Sequence, residues 1–281
     1  MKEIIQKKLE EIEKQEHVKI ILAIESGSRA WGFESADSDY DVRFIYVREP
    51  EMYLRLDPVR DVIEWQLDEV FDISGWDIKK ALQLLYKSNP TLFEWINSPI
   101  VYKETIEGRE LRELSKQYFD VKKSVMHYLN MASNTFDNYL QDESVKLKKY
   151  FYAIRPILAA KYALENETQP PIKFNDLKDT MLEDKLKTEV NHLLELKMKS
   201  KETEYIPVVN ELNLYIKNKM QEINEQAYKL NDMRLSSDAR DYLTQYLSKL
   251  SNEKSENFAN GREMRNLFEK AFTNQANRLS H

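Results

Sequence analysis

The chain contains Gly27-Ser28-Arg29-Ala30-Trp31-Gly32, followed closely by Asp37-Ser38-Asp39-Tyr40-Asp41-Val42-Arg43. Before it, Val18 to Ile24 is a nearly uninterrupted apolar run rich in β-branched residues, the pattern of a buried strand. Ser26-Gly27-Ser28 breaks that strand. From Asp39 to Val47 the polarity alternates, with Tyr40, Val42, Phe44 and Tyr46 apolar and Asp39, Asp41 and Arg43 polar. A period of two marks a strand with one core-facing side, so Asp39 and Asp41 stand together on the other. Like charges that close are unfavourable unless a cation lies between them. Mg²⁺ suits such a pair, because it takes one or two carboxylates and completes its shell with water and phosphate oxygens. Upstream, glycine lets the backbone approach closely, and free N–H groups at a helix start attract phosphate.

A phosphate-binding turn shortly before a two-carboxylate strand implies nucleotidyl transfer, which calls for a third carboxylate on a neighbouring strand. Val62 to Leu67 and Val70 to Ser74 read as two strands joined at Asp68-Glu69. In the second, Phe71 and Ile73 face one way and Asp72 and Ser74 the other, so Asp72 is the candidate. Asp77 competes, but its place before the stripe Ile78, Ala81, Leu82 and Leu85 is explained by helix capping. Asp37 reads as a loop or capping residue.

The length of 281 residues suggests about two domains, and 42% hydrophobic with 32% charged residues fits a globular protein. Cysteine is absent, which excludes thiol nucleophiles, thiolate zinc sites and disulfides. The four histidines are scattered without metal spacing, and His127 reads as a helix histidine before a general base. No apolar run is long enough to cross a membrane. Ile4, Ile5, Leu9 and Ile12 recur at helical spacing, so residues 2–15 read as an amphipathic helix. Met1 to Glu16, rich in Lys and Glu, has no signal core, so the cytoplasm is the expected location. Residues 1–100 carry 13 Lys/Arg against 20 Asp/Glu, and the remainder is close to neutral. An acidic first third suits divalent cations better than non-specific nucleic-acid binding.

All four tryptophans and four of the five glycines precede residue 110, after which the text runs at helical spacing. The expected fold is α+β: a small mixed-sheet core over about 16–100 within a domain of 1–108, then an all-helical domain of 109–281 that contributes to the cleft. Helices are expected at 109–140, 144–165, 176–199, 208–231, 236–250 and 256–277, with Pro156 inside the second. There Lys148, Tyr152 and Arg155 share one helix face, and Lys149 neighbours Tyr152. Seven Lys/Arg against three acids make 121–161 the basic stretch of the chain. That face is expected to look into the cleft, with Arg155 nearest the nucleotide.

These stretches resemble the DNA polymerase β-like nucleotidyltransferase superfamily. The fuller likeness is to a bacterial and phage family of nucleotidyltransferases associated with RNA repair. There Gly-Ser-Arg-Ala-x-Gly, Asp-Ser-Asp-Tyr-Asp-Val-Arg and Asn-Pro-Thr-x-x-Glu occur together, the last matching Asn89 to Glu94. Lys148 to Pro156 resembles the family's helical Lys/Tyr/Arg segment. The resemblance implies transfer of NMP from an NTP to a hydroxyl with release of pyrophosphate. It implies two Mg²⁺ or Mn²⁺ ions held by Asp39, Asp41 and Asp72. Gly27 and Ser28 would meet the β- and γ-phosphates, with Lys149, Tyr152 and Arg155 acting from the helical side. Arg29 and Arg43 either face the triphosphate or offset the carboxylates. The acceptor stays open among an RNA 3′ end, a protein hydroxyl and a small molecule. A non-catalytic NTP- or partner-binding module is the rival reading.

Overall fold

The N-terminal stripe forms helix α1 (Lys2–Glu16), which buries Ile5, Leu9 and Ile12 and ends on left-handed His17. The chain enters β1 (Val18–Glu25) directly, breaks at α2 (Gly27–Trp31) and returns antiparallel as β2 (Tyr40–Arg48). A short α3 (Pro50–Tyr53) precedes the hairpin of β3 (Val62–Leu67) and β4 (Phe71–Asp77). Helices α4 (Ile78–Tyr86) and α5 (Pro90–Ile96) follow, then β5 (Val101–Glu104) and α6 (Ile106–Ser115). The computed structural model describes residues 1–231, 233 and 235–252; the helix expected at 256–277 lies outside them.

The five strands form one sheet in the order β3-β4-β2-β1-β5, with β2 and β4 parallel and the other pairs antiparallel. The fold is therefore α+β with a mixed sheet. Alternation along β2 sorts its two faces. Val42, Phe44 and Tyr46 pack with Ile73 against α1, while Ile45 and Val47 pack with Ile78, Leu82, Leu92 and Trp95. Asp41 and Arg43 precede Ile45 on the second face, at the end of the strand nearest α2.

The later chain is helical: α7 (Val121–Tyr139), α8 (Leu147–Asn166), α9 (Phe174–Met181), α10 (Asp184–Lys199), α11 (Asn210–Ala227) and α12 (Ala239–Asn252). Between them β6 (Ser144–Lys146) pairs with β7 (Tyr205–Pro207). The helix expected over 109–140 is two helices, because Asp120 caps a new start by accepting from Lys123 N. The helix expected over 144–165 begins later, where pairing with β7 ends. Pro156 lies within α8. Helices α7 to α11 share a core that Phe33 enters from the β1–β2 connection. Helix α12 instead sets Leu243, Tyr246 and Leu250 beside Ile45 and Leu82, so the cores do not divide at residue 108. Among the described residues, no helix is long and apolar enough to cross a membrane.

Candidate active site

Parallel pairing of β2 with β4 places Asp41 opposite Asp72 in register. The Arg43 guanidinium joins them: Nη2 donates to Asp41 Oδ1 at 3.0 Å and to Asp72 Oδ2 at 2.6 Å. Its Nη1 donates to the Asp72 carbonyl at 2.7 Å. Burial raises the Asp41 pKa to about 6; Arg43 opposes the rise, and Asp39 and Asp72 add to it. Asp39 stands just before the strand. Among the described residues no three acidic or histidine side chains gather as one metal-binding group, so the expected triad appears as a pair with Asp39 alongside. The pair fits a hard divalent ion, since both carboxylates already share one cationic group.

Residues around Asp41 fix it on every side. Gly27 has φ +61°, and a Cβ there would lie 2.0 Å from Asp41 Oδ2, so the turn needs glycine twice over. Ser26 N donates to the Asp41 carbonyl at 2.8 Å. Asp41 N donates to Glu25 Oε1 at 2.9 Å, and the Tyr102 hydroxyl donates to Glu25 Oε2. Glu25 is fully buried, which pushes its pKa to about 7. Sequence reading missed it; the available signal was an acid closing an apolar strand just before the glycine turn.

Ser28 is buried and shares a hydrogen bond with Ser38 Oγ at 3.3 Å, so its hydroxyl is not presented to a phosphate as expected. Ser38 Oγ donates to Glu202 Oε1 at 2.8 Å, and Lys148 Nζ meets Glu202 Oε2 at 2.7 Å. Glu202 N donates to the Asp37 carboxylate, and Lys197 Nζ to Ser35 Oγ at 3.0 Å. The segment between α10 and β7 thus straps the loop that delivers Asp39. Arg29 braces the same loop, with Nε donating to the Asp39 carbonyl at 2.8 Å and its guanidinium 3.9 Å over the Tyr40 ring. Of the two readings left open, Arg43 takes the carboxylate side and Arg29 holds main chain.

Two helical expectations need correction. Arg155 is 1% exposed, pairs with Glu94 at 2.9 Å, donates to the Ile172 carbonyl and lies 4.4 Å over the Trp31 ring. Tyr128 donates to the same Glu94 at 3.0 Å. The face of α8 that carries Arg155 is turned into the protein, so Arg155 supports α2 from behind and is closed to a nucleotide. Lys149 lies 3.6 Å over the Tyr139 ring, and it is Lys148 that reaches the strap. Tyr152 does come near the acids: its ring meets Trp31 edge-on at 5.4 Å, and burial, then Glu202, Asp41 and Asp39, push its pKa to about 12. Asp77 caps α4 by accepting from Lys79 N at 2.8 Å and pairs in register with Tyr46, well along the sheet from Asp72. Burial lowers the pKa of His127.

The model of a family described as the RNA repair pathway DNA polymerase beta family matches residues 1–249. The uncharacterized protein YcgL of Bacillus subtilis (strain 168) is 45% identical over 232 residues, 82% of this chain and 89% of its own. The crystal structure of a nucleotidyltransferase-like protein from Exiguobacterium sibiricum matches 91% of this chain and 82% of its own at 12% identity. Its TM-score is 0.25, too loose a likeness to argue from.

Proposed function

Because the chain belongs to the RNA repair pathway DNA polymerase beta family, we propose that it is a metal-dependent nucleotidyltransferase, moving NMP from an NTP to a hydroxyl. The observation that carries this reading is the in-register pair of Asp41 and Asp72, bridged by one guanidinium and backed by Gly27. Two Mg²⁺ or Mn²⁺ ions, held by Asp41 and Asp72 with Asp39, would neutralise the triphosphate charge.

The rest is positioning by the chain's own residues. Glu25, Ser26 and Gly27 fix the Asp41 carboxylate and its main chain. Asp72, on the neighbouring strand in register with Asp41 and less enclosed by the Gly27 turn, would accept the proton of the incoming hydroxyl. The hydroxyl oxygen bonds to the α-phosphorus as the bond to the β-phosphate oxygen breaks, and pyrophosphate leaves. The Gly27 turn offers main chain to the phosphates. Tyr152 and the Lys148–Glu202 pair close the opposite side.

The acceptor proposed is an RNA 3′ end, which the family's description favours. The test is incubation with labelled NTPs, Mg²⁺ or Mn²⁺, and either RNA or lysate. Label on RNA, lost in Asp41→Asn and Asp72→Asn, supports the reading. Label on protein would move the acceptor to a protein hydroxyl. No transfer from any NTP would leave a binding module in place of an enzyme.

A further inference from the structure

We propose that Arg43 is a displaceable counter-ion: it holds Asp41 and Asp72 in the metal-free protein and leaves them when a divalent cation binds. The inference rests on the nucleotidyltransferase reading and concerns how its cation site is kept ready.

Three arginines surround the acidic end of the sheet, and they are built differently. Arg29 donates to main-chain carbonyls and stacks on Tyr40. Arg155 is sealed among Glu94, Trp31 and the Ile172 carbonyl. Only Arg43 among the three spans two of the proposed metal ligands. Its Nη2 bonds Asp41 Oδ1 and Asp72 Oδ2 together, the place a cation shared by the two carboxylates would take. A guanidinium and a divalent ion cannot occupy that place at once.

Register explains the reach. Arg43 pairs with Ser74 across β2 and β4, so its side chain leans back one same-face step to the Asp41–Asp72 level. The planar fork spans both carboxylates with Nη2 while Nη1 is anchored on the Asp72 and Val42 carbonyls, a division that a single ammonium cannot reproduce. The two acids are 24% and 29% exposed in their side chains, partly desolvated, so leaving them facing each other without a cation is unfavourable. Arg43 removes that repulsion in the empty site.

The structure also gives the guanidinium somewhere to go. A groove of about 560 Å³ opens beside it, lined by Arg43 and Asp72 together with Gln66, Ser74, Trp65 and Trp76. The planar guanidinium must move as one body, so release from the carboxylates also gives up its Nη1 bonds to the Asp72 and Val42 carbonyls as the group swings toward this space. There the lining includes the Glu64 carboxylate and the Gln66 amide, acceptors for the guanidinium once it has left Asp41 and Asp72. Arg43 is thus a positioning residue in the empty protein, and its exchange sets the cation affinity.

The test is calorimetric titration of Mn²⁺ into the full chain without nucleotide, using wild type, Arg43→Gln, Arg43→Lys and Asp41→Asn. Removing a charge-assisted bridge should tighten Mn²⁺ binding by about tenfold or more in Arg43→Gln. Arg43→Lys keeps the charge but loses the fork, and should also bind more tightly than wild type. In thermal denaturation both Arg43 variants should melt lower without metal and gain more from Mn²⁺ than wild type does. Unchanged or weaker Mn²⁺ binding in Arg43→Gln would make Arg43 a fixed brace and overturn the proposal. Wild-type affinity in Arg43→Lys would overturn displacement of the anchored fork in favour of plain charge repulsion between residue 43 and the cation. If Asp41→Asn binds Mn²⁺ as wild type does, the cation-site reading itself falls, a result distinct from either outcome at Arg43.

Discussion

Gly27→Ala separates two consequences of one methyl group. Gly27 sits at φ +61°, where an L side chain strains the backbone by about 1–2 kcal/mol. On a chain of this size that lowers the melting temperature by roughly 2–4 °C per kcal/mol. The second consequence is local: the added Cβ would lie 2.0 Å from Asp41 Oδ2 and 2.9 Å from its Cγ. A short carboxylate can relieve that overlap only by moving, which pulls it off the Asp72–Arg43 level. Misplacing a reacting group by about 1 Å can lower turnover about a hundredfold. Gly32→Ala is the matched control, because Gly32 has φ +78° yet nothing lies within 4 Å of its would-be Cβ. Both variants should lose melting temperature without metal, Gly27→Ala by more, because its displaced carboxylate also leaves Arg43. Only Gly27→Ala should lose the Mn²⁺-induced rise in melting temperature and nucleotide transfer. If it keeps both at the level of Gly32→Ala, the carboxylate behind Gly27 is not the working group.

Glu94→Gln should be among the most destabilising single changes, about 3–5 kcal/mol by urea denaturation, because it leaves the Arg155 charge buried without its partner; a loss under about 1 kcal/mol would refute the pairing. Glu25, lifted by burial to about 7, and Asp41, lifted to about 6, hold protons in the folded chain that the unfolded chain has already released. Metal-free stability should therefore fall as the pH rises from about 4.5 to about 7. Urea midpoints across that range should fall more steeply for wild type than for Glu25→Gln, and parallel curves would refute the assignment. Glu202→Ala cuts the bond to Ser38 and the pair with Lys148, and should raise the NTP KM with kcat little changed; a fall in kcat alone would place Glu202 among the reacting groups.

The chemistry-bearing strands were legible because they are local. Alternation along β2 and β4 put Asp41 and Asp72 on one polar face, and the register then made them neighbours. Gly27 was legible for the same reason, being a glycine at a strand-to-helix break. What escaped is set by long-range packing. Glu202 and Ser38 meet across 164 positions, and no periodicity reports that contact. The i, i+4, i+7 spacing puts Lys148, Tyr152 and Arg155 on one face of α8, but spacing alone cannot say whether such a face turns outward. Arg155 is buried because Glu94, Trp31 and the Ile172 carbonyl together satisfy its charge and hydrogen bonds. The β5 strand passed unnoticed because four residues carry too little alternation to distinguish a strand from a loop.

Helix α12 gives the chain an order of assembly. Leu243, Tyr246 and Leu250 close over Ile45 and Leu82, and Tyr246 donates to the Glu107 carbonyl, contacts that join residues far apart in sequence. Domains generally fold from the N-terminus during synthesis, yet this layer cannot be completed until Leu250 has left the ribosome. Until then Ile45 and Leu82 lack this part of their apolar cover. A nascent chain stopped before Ala239 would carry the strands of Asp41 and Asp72 without that last cover, and limited proteolysis of such a fragment should cut the sheet region that the full chain protects.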